Sequence, residues 1–214
     1  MDDPLVSLRD VAVSIGGVPI LRSVQLTVSP GESVGISGAN GSGKTTLLRV
    51  VATLLRPSAG SGRVLGHDLM GAHRFAARPR IELVGHRPAL YPQLTLEENL
   101  AFCASLNGAD KSRVSTALHR VGLAAAAHRR AEQASQGMQR RTEFARVWLT
   151  GPLLLLLDEA HAGLDDDASA LVADAVAGVA ASGGAVIVVS HDARRAAPLV
   201  DRQLHLDAGT VVAG

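Results

Sequence analysis

Two five-residue stretches constrain this 214-residue chain more than any other feature: Leu153 to Leu157, all leucine, and Ala185-Val186-Ile187-Val188-Val189. A strand with one face in water alternates apolar and polar side chains. A strand that is apolar at every position has both faces covered, as in a parallel sheet flanked by helices. Ser33 to Ser37 is a third short run of this kind. Between the two longest runs, Leu171, Ala175 and Val179 share one face of a helix. Asp165-Asp166-Asp167 stands at its start, where the helix dipole favours negative charge. Strands alternating with helices predict an α/β core.

The rest of the chain adds two regions. Leu5 to Ile15 reads as a strand ended by Gly16-Gly17. Val24, Leu26 and Val28 alternate with polar neighbours until Pro30-Gly31. Pro57 to Gly66 is rich in small residues and reads as turns, and Ile81 to Val84 is another short strand. Thr95-Leu96-Glu97-Glu98 is a capping box that opens a helix through about Leu106. From there to Leu149 the pattern is mostly helical, including the alanine-rich Leu123 to Ala127. Gln203 to Asp207, a turn at Ala208-Gly209 and Thr210 to Val212 close the chain.

The Ser33–Ser37 run leads into Gly38-Ala39-Asn40-Gly41-Ser42-Gly43-Lys44-Thr45, and a helix from about Lys44 to Leu55 follows, with Leu47, Val51 and Leu54 on one face. The glycines free the backbone to aim several N–H groups at one phosphate, and the helix N-terminus adds its dipole. In this pattern Lys44 reaches the outer phosphates of a nucleotide, and the Thr45 hydroxyl, followed by Thr46, binds Mg²⁺. The chain has only two lysines, Lys44 and Lys111, against many arginines. One of them stands where a flexible ammonium suits better than a planar fork. A chance glycine turn would not have the correct strand and helix on either side.

The leucine run ends in Asp158-Glu159. At the C-terminal edge of a buried parallel strand, Asp158 lies where ligands bind in open α/β sheets. It is the expected Mg²⁺ ligand, and Glu159 the expected general base for water. Alone, an acidic pair could merely end a strand; beside a phosphate loop it reads as catalytic.

Composition closes off other classes. The net charge is +1 and aromatics are 2%, so neither a basic nucleic-acid face nor a base-stacking platform is expected. One cysteine, Cys103, makes no internal disulfide and reads as a buried inert thiol. Met1-Asp2-Asp3-Pro4 lacks the apolar run of a signal peptide, and the longest aliphatic run is far short of the ~20 residues that span a bilayer. Work at a membrane therefore requires docking on another chain. The eight histidines show no metal-site spacing, so no direct metal or haem ligation is expected. Trp148 and Phe144 read as core.

The motifs, taken in order, resemble the ATP-binding domain of ABC transporters over the whole chain. Ala134-Ser135-Gln136-Gly137-Met138-Gln139-Arg140-Arg141 matches the signature segment, Ala162-Gly163-Leu164-Asp165 the D-loop and Val189-Ser190-His191-Asp192 the switch-histidine segment. Ile81 to Tyr91 with Leu94-Thr95 and Glu98-Asn99-Leu100 matches the Q-loop region. The resemblance implies a single nucleotide-binding domain over 1–214: an α/β phosphate-loop NTPase core, an N-terminal antiparallel β subdomain, and a helical signature subdomain inserted at approximately 88–150. It implies ATP and Mg²⁺ as cofactors. Asn40 and the loop glycines hold the phosphates, with Asp165 and His86 beside them, and His191 senses the γ-phosphate. Ser135 and Gly137 face the ATP held by a second copy, so that ATP joins a head-to-tail dimer. The implied second partner is a transmembrane permease subunit, at the cytoplasmic face of the membrane. Arg140-Arg141 are implied to support the signature helix.

The departures from the family pattern are specific. Ala134, Gln136 and Met138 stand where Leu, Gly and Gln are commoner. Ile15 aligns with the adenine-stacking aromatic, which implies weak discrimination between ATP and GTP. His86 aligns with the Q-loop glutamine, and Ala160-His161 replaces Pro-Thr. Two of these departures, His86 in the Q-loop and the missing adenine aromatic, together with Val84-Gly85-His86-Arg87-Pro88 and Ala145 to Leu149, are similar to the ATPase subunit of the haem exporter of cytochrome c maturation. Two other readings compete with a transporter subunit. A soluble ABC ATPase of translation or DNA repair would carry two ATPase halves or a coiled-coil insertion, and neither is present. A degenerate nucleotide-dependent interaction module would draw on His86, Ile15 and Met138, but the chain retains Lys44, Asp158, Glu159 and His191.

Overall fold

The computed structural model describes residues 3–159 and 166–213. Its N-terminal alternation becomes an antiparallel hairpin of β1 (Val6–Ile15) and β2 (Val18–Val28), turning at Gly16-Gly17. β3 (Ser33–Ser37) leaves this layer and runs through the glycine loop into α1 (Lys44–Val51). β4 (Ala59–Val64) and β5 (His67–Asp68) return to it, giving the order β2-β1-β4-β5.

After β6 (Ile81–Val84) come α2 (Leu96–Asn107), α3 (Val114–Arg120) and α4 (Gln136–Thr150). β7 (Leu154–Asp158), α5 (Asp166–Ala181), β8 (Ala185–Ser190) and the short α6 (Ala193–Ala196) lead to β9 (Arg202–Asp207) and β10 (Thr210–Ala213). The second sheet has the order β10-β9-β3-β8-β7-β6. Its strands are parallel except β10, which is antiparallel to β9.

The continuous apolar strands do face two ways. Leu154 and Leu156 of β7, with Ala185, Ile187 and Val189 of β8, pack against α1 and the N-terminal sheet. Leu155, Leu157, Val186 and Val188 pack against α5 and against Phe144 and Val147 of α4. Each such leucine removed from water contributes about 1.5–3 kcal/mol. α2, α3 and α4 enclose a separate cluster around Leu96, Leu100, Val114, Leu118 and Leu149. The Thr95–Glu98 capping box is present with both of its hydrogen bonds. Among the described residues no helix is long and apolar enough to cross a membrane.

Three local expectations fail for tertiary reasons. Pro57 to Gly66 holds a strand, β4, because its small residues serve close approach: a Cβ on Gly62 would lie 2.8 Å from Leu8 Cδ2 across the sheet. α1 stops at Val51 instead of reaching Leu55. Thr53 turns left-handed (φ 59°) and its carbonyl accepts from Arg78 at 3.0 Å, which leaves Leu54 55% exposed. The alanine tract makes only one 3-10 turn, Ala124–Ala126. The Ala127 and Arg129 carbonyls, which a longer helix would use, accept instead from Glu97 and Leu96 N–H at the start of α2.

Candidate functional site

The glycine loop is wedged between β2 and β9. Gly38 has φ 155°, and a Cβ there would meet Leu206 O at 2.3 Å. Gly43 has φ 106°, and a Cβ would meet Leu21 Cδ2 at 2.7 Å. Both positions require glycine, and the tight fit aims the N-terminus of α1 into a cavity of about 680 Å³. Lys44 is buried, and its Nζ donates across the loop to Gly38 O (2.7 Å) and Ala39 O (2.8 Å). Ser42 is also buried, and its Oγ has no hydrogen-bond partner among the described residues. A phosphate oxygen would satisfy it.

The C-terminal edge of the parallel sheet forms the opposite wall. Asp158, the last residue of β7, accepts from Thr45 Oγ1 through Oδ2 at 2.9 Å. These are hard oxygen donors of the kind Mg²⁺ takes, so the residues present fit that ion. Glu159 follows in a left-handed conformation (φ 54°), its N–H held by Val189 O at 3.0 Å. Both of its carboxylate oxygens face His191: Oε1 accepts the His191 backbone N–H at 2.6 Å, and Oε2 lies 2.8 Å from Nδ1. β8 carries His191 to this place, since it follows Ser190 directly.

The cavity is thus lined by Asn40, Gly41, Gly43, Lys44, Thr45 and Thr46 from the loop side, and by Asp158, Glu159, His191 and His86 from the other. Ile20 also lines it, a residue absent from the expected set. The close approach of Gly43 to β2 brings it there, since a Cβ on Gly43 would lie 3.1 Å from Ile20 O. Ile15 is half exposed at the hairpin turn and does not line the cavity. Ser135 and Gly137 are exposed at the start of α4 and also lie outside it. Ser135 acts locally as the N-cap, its Oγ accepting from Met138 N at 3.2 Å. Asp165 lies outside the described residues.

Arg140 does more than support its own helix. Its guanidinium reaches the Gly85 and His86 carbonyls at 2.6 and 2.8 Å. Cys103 is partly buried, and burial pushes its thiol up.

The profile of the ABC transporter family matches residues 21–162. The chain belongs to that family, as an ATP-binding subunit. It is 37% identical to a cytochrome c biogenesis ATP-binding export protein, CcmA, of Xanthomonas axonopodis pv. citri, over 95% of this chain and 94% of the relative. It is 36% identical to the daunorubicin resistance ATP-binding protein DrrA3 of Streptomyces coeruleorubidus, over 100% of this chain and 68% of the relative. Its fold superimposes with a TM-score of 0.86 and 26% identity on the dimeric post-hydrolysis structure of the ATP-binding cassette MJ0796 bound to ADP and Pi, covering 96% of each chain. As an ABC ATPase subunit the protein binds ATP with Mg²⁺ and hydrolyses it; its ABC ATPase homologues work as dimers with transmembrane permeases.

Proposed function

We propose that this chain is the ATPase subunit of a haem-exporter-type ABC transporter, at the cytoplasmic face of the membrane, and that the cavity below the glycine loop is its hydrolytic half-site. One observation carries the site assignment. Lys44, Thr45, Asp158, Glu159 and His191 converge on a single cavity, whereas Ser135 and Gly137 are exposed away from it. A signature segment that is exposed and does not line its own cavity is available to the cavity of a second copy. Asn40 with the Gly38, Gly41, Ser42 and Gly43 loop, Lys44 and Thr46 hold the phosphates, and Thr45 and Asp158 hold the metal.

Bound Mg²⁺ supplies charge neutralisation at the phosphates. The chain's own residues do the rest. Lys44 exchanges the Gly38 and Ala39 carbonyls for phosphate oxygens. Glu159 takes the proton of the attacking water, and His191 orients it, because two contacts from one residue fix both carboxylate oxygens. Exclusion of water then depends on the second subunit, with Ser135, Gly137 and Asp165 completing the site.

The test is Glu159→Gln. Hydrolysis should fall by roughly 10²- to 10⁴-fold, as expected for loss of a general base. In size exclusion the variant should dimerise only with Mg-ATP. A parent without turnover and a variant that stays monomeric would instead favour a nucleotide-dependent interaction module. The cargo assignment draws on the cytochrome c biogenesis relatives and on the Gly85-His86 pair. The similar match to a daunorubicin resistance protein supports a drug exporter as the second reading. Restoration of haem-stained cytochrome c in cells lacking their own haem-exporter ATPase would separate the two.

A further inference from the structure

One face of α4 carries Arg140, Glu143 and Arg146 at three-residue spacing, and all three point at the chain between Glu82 and Ala89. Arg140 Nη1 bonds Glu143 Oε2 at 2.8 Å as well as Gly85 O, while its Nη2 takes His86 O. Glu143 Oε1 accepts from Ala89 N at 2.9 Å. Arg146 Nη2 lies 2.5 Å from Glu82 Oε1, 3.9 Å from Glu143 Oε1 and 3.3 Å from Leu83 O. The four side chains are nearly sealed, Glu143 completely, and their charges cancel. Burial pushes the Glu82 and Glu143 carboxyls up, and Arg146 pulls both back.

A buried ion-pair ladder seldom adds net stability over apolar residues of the same volume, so its use here is geometric. The strap of residues 85–89 is held at both ends, by two carbonyls at Gly85 and His86 and by one N–H at Ala89. Only a planar fork meets Gly85 O, His86 O and Glu143 together. His86 projects from this strap into the nucleotide cavity. The same helix begins at Ser135, less than two turns before Arg140.

We propose that Arg140, oriented by Glu143, is a positioning residue that sets the placement of His86 in the nucleotide cavity from the signature helix. This rests on the reading above that the cavity His86 lines is the nucleotide half-site. The strap is tied to α4 through these bonds, so Arg140 acts on nucleotide through His86.

A double-mutant cycle tests it, on the full chain carrying Glu159→Gln so that nucleotide persists, with Mg-ATP affinity read by titration. His86→Ala and Arg140→Lys should each weaken binding roughly three- to tenfold, the scale of one hydrogen bond. The double variant should bind no more weakly than His86→Ala alone. A structural role would multiply the two losses, and that result overturns the proposal. If His86→Ala leaves affinity unchanged, the placement of His86 at the nucleotide is what fails, and the proposal falls with it. Glu143→Gln keeps an acceptor for Ala89 N but loses the charge that orients Arg140. It should repeat the Arg140→Lys pattern in the same cycle, and carries the test alone if Arg140→Lys does not fold.

Discussion

At the C-terminal edge of the parallel sheet, Asp158 closes a strand whose five residues are all buried. At the start of α4, Ser135, Gln136 and Gly137 are exposed and follow a stretch of 3-10 turns. The first set of residues is placed by packing on two sides and cannot move without opening two core clusters. The second is placed by an N-cap and the ladder from Arg140 to Glu82, and only further along α4 do its own cluster and the packing of Phe144 and Val147 on the sheet take hold. A group that must sit at a fixed distance from its own phosphate belongs on the first kind of support. A group that meets and leaves another subunit belongs on the second, where a few polar contacts are exchanged instead of a core.

Matched cavities in the two regions test this most severely. Leu156→Ala and Leu118→Ala remove the same atoms from fully buried sites. Each should cost about 2–5 kcal/mol. In the sheet that loss should appear as a fall in the global melting temperature, at about 2–4 °C per kcal/mol for a chain of this size, together with lost nucleotide affinity. In the lobe it should leave the affinity of the folded protein within about twofold, below the effect of one hydrogen bond. Calorimetry and nucleotide titration on both variants decide the matter; equal loss of affinity would mean that the regions are mechanically one.

The N-terminal sheet offers a smaller gain. To a base that reaches the hairpin turn, Ile15 offers an aliphatic side chain that neither stacks nor reads base edges, so ATP should exceed GTP in affinity by less than about tenfold. Ile15→Tyr should raise both affinities, by about 1–3 kcal/mol for a stacked ring, because stacking does not read base edges. A parent strongly selective for ATP would refute this.

Ser135→Ala removes the cap of α4 and should cost about 1 kcal/mol, visible as faster amide exchange at Met138 while β7 and β8 are unaffected. The smallest effect is pH dependence in the ladder. A carboxyl with a raised folded pKa contributes its stability below the unfolded value of 4.5, and that contribution is lost as pH rises through the folded value. Glu82→Gln should therefore gain stability relative to the parent as pH rises above 4.5, followed by thermal melting across the acid range.

The parallel strands were legible because burial on both faces leaves an unmistakable run of aliphatic residues. β3 and β6 have the expected boundaries, and β7 and β8 differ by a residue. The loop and the Asp158-Glu159 pair were legible because their chemistry is local to a few consecutive residues. β4 was missed because glycines serve close packing as well as turning. The Leu123–Ala127 tract was misread because helix propensity is weak beside tertiary hydrogen bonds. The Arg140–Glu143 ladder and the lining role of Ile20 were invisible for another reason: each depends on a contact between segments distant in the chain, which no periodicity records.

Glu159 holds a backbone conformation that costs a side-chain-bearing residue about 1–2 kcal/mol. Glycine would adopt it freely, and asparagine nearly so. A laboratory screen that selected this protein for heat resistance alone would therefore be drawn to replace Glu159, and the sturdiest survivors would be those without the carboxylate beside His191. Durability and turnover are opposed at one codon, so any campaign to toughen the protein has to score both.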